Sequence, residues 1–89
     1  MTTTDIRERT RAYISENFLY MREGGNALLN DEQSLLETGV VDSMGIMEVV
    51  QFIESEFGVL VEDEDISEQN LGTINGITRY VASKRVAAA

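Results

Sequence analysis

GVVDSMGIMEVVQFIESEF, residues 39–57, decides the fold. Apolar side chains return every three or four residues at Met44, Met47, Val50, Ile53 and Phe57, the spacing that lines one face of an α-helix. Ile46, Val49 and Phe52 widen this face beyond the needs of a helix lying on a surface. The stretch therefore predicts a central helix from about Ser43 to Phe57, with the stripe of Met44, Met47, Val50, Ile53 and Phe57 turned inward. Gly39 turns the chain ahead of it, and Gly58 follows it.

Upstream, a first helix is expected from about Asp5 to Met21. Asp5 and Glu8 have the spacing of a capping box, and Ile6, Tyr13, Ile14, Phe18 and Met21 form a stripe on which Thr10 is the polar exception. Gly24-Gly25-Asn26 stops that helix. Residues 24–42 then make a long connection, pinned by the pairs Leu28-Leu29 and Leu35-Leu36. Downstream, Val59-Leu60-Val61 is too isolated for a strand and reads as an extended lead. Residues 62–65 are an exposed acidic connector, and Ile66 to Leu71 allows a short helical turn. Thr73 caps a last helix running to about Arg85, with Ile74, Ile77, Tyr80 and Val81 inward and Lys84 and Arg85 near its negative end. The fold class expected is all-α, a small bundle of three to four helices with a long first loop. Residues 1–89 form one domain, with an ordered core from about 5 to 85.

Composition narrows the chemistry. Cysteine and histidine are both absent, which excludes disulfides, thiolate metal sites, cysteine nucleophiles and a Ser–His–Asp relay. Proline and tryptophan are missing as well. No apolar run approaches the ~20 residues that span a bilayer, and the N-terminus lacks the pattern of a secretory signal. The expectation is a soluble, cytoplasmic domain. The net charge is −9, and between Glu23 and Thr78 there are thirteen acidic side chains and no basic one. Such a surface repels phosphate backbones and anionic lipid, so no nucleic-acid or membrane role is expected. It steers basic protein partners instead.

Asp42-Ser43 is the pair on which chemistry would rest. Asp and Ser ahead of an apolar-periodic run are ordinary helix caps. Yet one helix needs one cap, and the polar loop presents this start at the surface. A helix N-terminus offers unpaired N–H groups and the positive end of the dipole, which favours a phosphate. Ser43 has no histidine or lysine near it to take its proton, so it is not a nucleophile unaided. A functional Ser43 is one modified by another protein.

Residues 39–57 resemble the G-x-x-D-S-L-x-x-x-E-L-x-x-x-L-E-x-x-F signature of acyl carrier proteins. The likeness runs from about Leu35 to Lys84 and includes the acidic connector and the Thr73-Ile74…Ile77…Tyr80-Val81 pattern. It implies that Ser43 is the attachment point of 4′-phosphopantetheine, whose thiol holds an acyl group as a thioester, with Asp42 as the aspartate preceding it. It also implies partners: a phosphopantetheinyl transferase, and acyl-loading and acyl-transferring enzymes with basic docking surfaces. Glu48, Glu54 and Glu56 match acidic positions of the recognition helix, and Met44 and Met47 its apolar contacts. The protein itself would be a monomer without catalysis, serving fatty-acid, polyketide or specialised acyl pathways. The arm's cargo is expected to shelter between helices, against Ile46, Val49, Val50 and Ile53.

Three departures stand out. Met44 replaces a leucine, Gly45 replaces a commonly acidic or polar residue, and the connector lacks a proline. An aminoacyl or peptidyl carrier, of nonribosomal or D-alanylation type, is the alternative, although nonribosomal carriers usually show G-G-x-S. An unmodified acidic adaptor is a third reading. An EF-hand counted from Asp63 fails at Glu68 and Ile74, so no metal is expected. A methionine-rich target groove on the central helix is less natural than plain core.

Overall fold

The computed structural model describes residues 2–19 and 30–88. Helix α1 spans Thr3–Ile14 and is capped by Thr2 rather than by Asp5. The Thr2 hydroxyl accepts the Asp5 N–H at 3.1 Å, and the Asp5 carboxylate accepts the Thr2 N–H at 3.1 Å. Asp5 thus holds the third position of a capping box, and Glu8 has no part in it. Ile6, Thr10 and Ile14 are buried. Beyond Ile14 the helix widens into a π-helical turn, Ser15–Leu19. The wider turn brings residues five apart onto one face, and Tyr13 meets Phe18 edge-on with ring centroids 6.0 Å apart. Tyr13 also stacks on Phe52 at 4.0 Å, and Phe52 meets Phe57 edge-on. The expected end at Met21, the Gly24-Gly25-Asn26 stop and Leu28-Leu29 lie outside the described residues.

Residues 30–44 are held by backbone bonds as much as by apolar contact. The Leu35 N–H donates to the Gly72 carbonyl at 2.8 Å, the Val41 N–H to Leu35 at 3.0 Å, and the Asn75 N–H to Asp31 at 3.0 Å. Arg7 and Arg11 both pair with the Asp31 carboxylate. Leu35, Val40 and Val41 are buried, while Leu36 is only half-buried.

Helix α2 spans Gly45–Phe57, so its first turn begins two residues later than the sequence pattern implies. Gly58 ends it in the left-handed conformation, φ 68°, with its N–H on the Glu54 carbonyl, the usual glycine stop. Val49, Val50, Ile53 and Phe57 face the core. Met44 and Met47 do not: they are 81% and 50% exposed. The inward stripe expected at the front of this helix is therefore wrong there. At the first turn of α2 it is Gly45 and, in part, Ile46 that take the inward place.

Val59 and Val61 are buried and Leu60 is exposed, without forming a strand. A 3₁₀ turn at Asp63–Asp65 leads to α3, Glu68–Leu71, capped by Ser67. Helix α4, Ile74–Ala88, extends past the expected Arg85. The Thr73 hydroxyl accepts the Gly76 N–H at 2.8 Å. Ile74, Ile77, Tyr80 and Val81 are buried, and α1 packs along α4. Arg85 lies in the last turn of α4, as expected, and also serves a neighbour: it donates to the Phe57 carbonyl at 2.9 Å, at the end of α2. The architecture is the expected small all-α bundle.

Candidate functional site

Gly39, with φ 75°, reverses the chain, and Val40 and Val41 then sink into the core. Asp42, Ser43 and Met44 follow as one exposed turn ahead of α2. Asp42 is the cap. Its Oδ1 accepts the Gly45 N–H at 2.6 Å, and its carbonyl accepts the Ile46 N–H at 3.1 Å. That leaves Ser43 spare. Its side chain is exposed, and among the described residues its hydroxyl makes no hydrogen bond. The Ser43 and Met44 N–H groups likewise have no acceptor among the described residues.

Beside Ser43 lies a cleft of about 330 Å³ lined by Phe18, Gly39, Val40, Asp42, Met44, Gly45 and Glu48. Its floor explains Gly45. A β-carbon there would stand 2.9 Å from the ring edge of Phe18, 3.1 Å from Val41 and 3.2 Å from the Asp42 carboxylate. Glycine lets the π-helical turn after α1 press its aromatic ring against the first turn of α2. Neither the π-helical turn nor this contact was read from sequence. A glycine in the first turn of a strongly apolar helix was the available signal.

Glu48 is exposed one turn into α2. Burial and, to a smaller extent, the Glu48 charge raise the pKa of Tyr13. Glu54 and Glu56 face other duties. Glu54 Oε2 accepts the Val61 N–H at 3.0 Å and so ties down the loop after α2. Glu56 pairs with Arg9 at 2.8 Å. In the acidic connector, Asp65 accepts the Tyr80 hydroxyl at 2.9 Å and pairs with Lys84 at 3.5 Å. Among the described residues no cluster of acidic side chains could hold a metal ion, and no helix is long and apolar enough to cross a membrane.

An exposed, unengaged hydroxyl followed by free N–H groups at a helix start suits an esterified phosphate. The comparisons agree with this chemistry. Residues 23–81 match the family model described as a phosphopantetheine attachment site. The chain belongs to this family of carrier proteins. It is 32% identical over 56 residues to an acyl carrier protein of Thermotoga maritima, covering 63% of this chain and 67% of that protein. A D-alanyl carrier protein of Streptococcus suis is 30% identical over 73 residues, covering 82% of this chain and 86% of its own. As a carrier protein, the chain holds a covalently attached 4′-phosphopantetheine group and works with a phosphopantetheinyl transferase and acyl-handling enzymes.

Proposed function

We propose that Ser43 is the attachment residue and that the protein is an acyl carrier, presenting acyl groups to separate enzymes of a fatty-acid, polyketide or specialised acyl pathway. One observation carries the assignment. The Asp42 carboxylate takes the Gly45 N–H at the start of α2, and the serine hydroxyl is left in water with no structural bond to break. When attached, the group supplies a thiol on a flexible arm, to which an acyl cargo is bound as a thioester. The Ser43 and Met44 N–H groups would favour the phosphate, and the cleft lined by Phe18, Val40 and Met44 lies beside the serine that would carry the group. The Asp42 carboxylate is held by the Gly45 N–H and is ill placed to deprotonate Ser43. The transferase must take that proton, and the carrier catalyses nothing.

Met44, Met47 and Glu48 form the docking turn in this reading. Glu54 and Glu56, bound within the protein, add negative potential rather than direct contacts. A D-alanyl carrier is the second reading, favoured by the length over which that relative matches.

Intact mass after incubation with coenzyme A and a transferase tests the assignment. One phosphopantetheine is expected on the wild type and none on Ser43→Ala. Modification that persists in Ser43→Ala overturns it. Loading by an acyl-activating ligase, against loading by a D-alanine ligase, separates the two cargo readings.

A further inference from the structure

Among the described residues, the exposed large apolar side chains are Met44, Met47 and Leu60. Two of these stand at the turn that carries Ser43, and both are thioethers. Met44 is 81% exposed and Met47 is 50% exposed. Residues three apart share a helix face, so the two sulfurs lie on one side of the α2 start. The chain has no cysteine, histidine or tryptophan, which leaves methionine as the side chain that dilute peroxide oxidises. Met1 and Met21 lie outside the described residues.

We propose that Met44 and Met47 are modification sites for hydrogen peroxide, and that their oxidation turns partner docking down. The inference rests on the reading that partners dock on this turn. In the reaction, a sulfur lone pair attacks one peroxide oxygen and the O–O bond breaks. A sulfur–oxygen bond forms, and the second oxygen leaves as water with both peroxide hydrogens. Sulfur gives up two electrons and the peroxide takes them. The product is a sulfoxide, which methionine sulfoxide reductases convert back, one enzyme for each epimer.

The position gives the modification its consequence. In water the sulfoxide is hydrated, so the free fold is unchanged. Beneath a docked enzyme the new oxygen is a strong acceptor pressed on a surface matched to an apolar side chain, and an acceptor buried without a donor is costly. Leucine, which the carrier signature has at the place of Met44, is inert to peroxide. Met44 therefore brings to this place a sensitivity that the leucine of the signature would not.

The unloaded protein is the right sample, because it contains no thiol to compete for the oxidant. It is treated with hydrogen peroxide, quenched with catalase, mapped by peptide mass, and assayed for modification by the transferase with coenzyme A. One added oxygen is expected on Met44 and one on Met47, unchanged helical circular dichroism, and a fall in kcat/KM of about tenfold. Treatment with both sulfoxide reductases should restore the untreated rate. The Met44→Leu, Met47→Leu double variant, compared with its own untreated sample, should lose no rate. The proposal is overturned if protein with both sulfoxides mapped is modified at the untreated rate, or if the double variant loses rate as the wild type does. An untreated wild type that accepts no group refutes the attachment reading itself, and the proposal with it.

Discussion

Gly45→Ala is expected to destabilise this protein, although glycine to alanine within a helix ordinarily stabilises by up to about 1 kcal/mol. The reason is the space. The added carbon would lie 2.9 Å from Phe18 Cε1 and 3.1 Å from Val41 Cγ1, both closer than ordinary van der Waals contact. Val41 is fully buried and cannot retreat. Phe18 is half-buried, and can tilt only by disturbing its edge contact with Tyr13. Overpacking of this kind costs about 1–3 kcal/mol. Set against the helical gain, a net loss of about 1 kcal/mol remains, or roughly 4–8 °C in melting temperature for a domain of this size.

Phe18→Ala removes the nearest of the crowding atoms. In that background Gly45→Ala should be close to neutral, giving a coupling of about 1 kcal/mol between the two sites. Urea unfolding followed by far-UV circular dichroism on the four proteins of the cycle measures it. Stabilisation by Gly45→Ala in the wild-type background, or an equal loss in both backgrounds, would refute the account of the Phe18–Gly45 contact.

Asp42→Ala should cost about 1 kcal/mol by stripping the Gly45 N–H of its acceptor, whereas Ser43→Ala should stay within about 0.5 kcal/mol; urea midpoints in the reverse order would show that serine is the cap. Burial, and then the hydrogen bond to Asp65, pushes the Tyr80 hydroxyl up to about 12 from its usual 10.0. Because the folded pKa lies above the unfolded one, the native state holds this proton more tightly. Its contribution is complete below about pH 10 and drains away toward about pH 12, and Tyr80→Phe should flatten that part of the stability profile; an identical alkaline slope in the variant counts against the bond. Glu48→Lys should slow association with the transferase and lose its effect as salt rises, while Glu54→Lys should chiefly lower stability, by about 1 kcal/mol, through the orphaned Val61 N–H. Stopped-flow rates and unfolding curves distinguish the two, and a purely kinetic effect of Glu54→Lys would mean that its bond to Val61 matters little.

Much of the site was legible because it depends on local chemistry. The Asp42-Ser43 pair, the glycine turn before it and the apolar run after it announce an exposed helix start whatever surrounds them. Periodicity also located α4 and its cap at Thr73, since alternation of apolar and polar residues over several turns reflects which side meets the core. The same signal misled at the front of α2. Met44 and Met47 continue the stripe in hydropathy, but burial depends on whether a neighbour covers the position, and in the first turn of α2 the covered positions are Gly45 and, in part, Ile46. At the start of α1 two acidic residues, Asp5 and Glu8, offered a plausible box, and the Thr2 hydroxyl took the cap because its geometry closes both bonds at once.

The amino-acid sequence by itself determined the all-α class, the place of the exposed Asp42-Ser43 turn and the acidic field around it, because each follows from residue type and spacing along the chain. Only the three-dimensional structure decided which of two adjacent polar side chains holds the turn ahead of α2 and which is free. It decided too that Met44 and Met47 face water and that two of the three candidate docking glutamates are engaged within the protein. The Asp42 and Glu54 bonds are short-range, but spacing left their partners open. The crowding at the front of α2 and the engagement of Glu56 depend on contacts between residues far apart in sequence, Phe18 with Gly45 and Glu56 with Arg9, and no spacing rule along the chain encodes those.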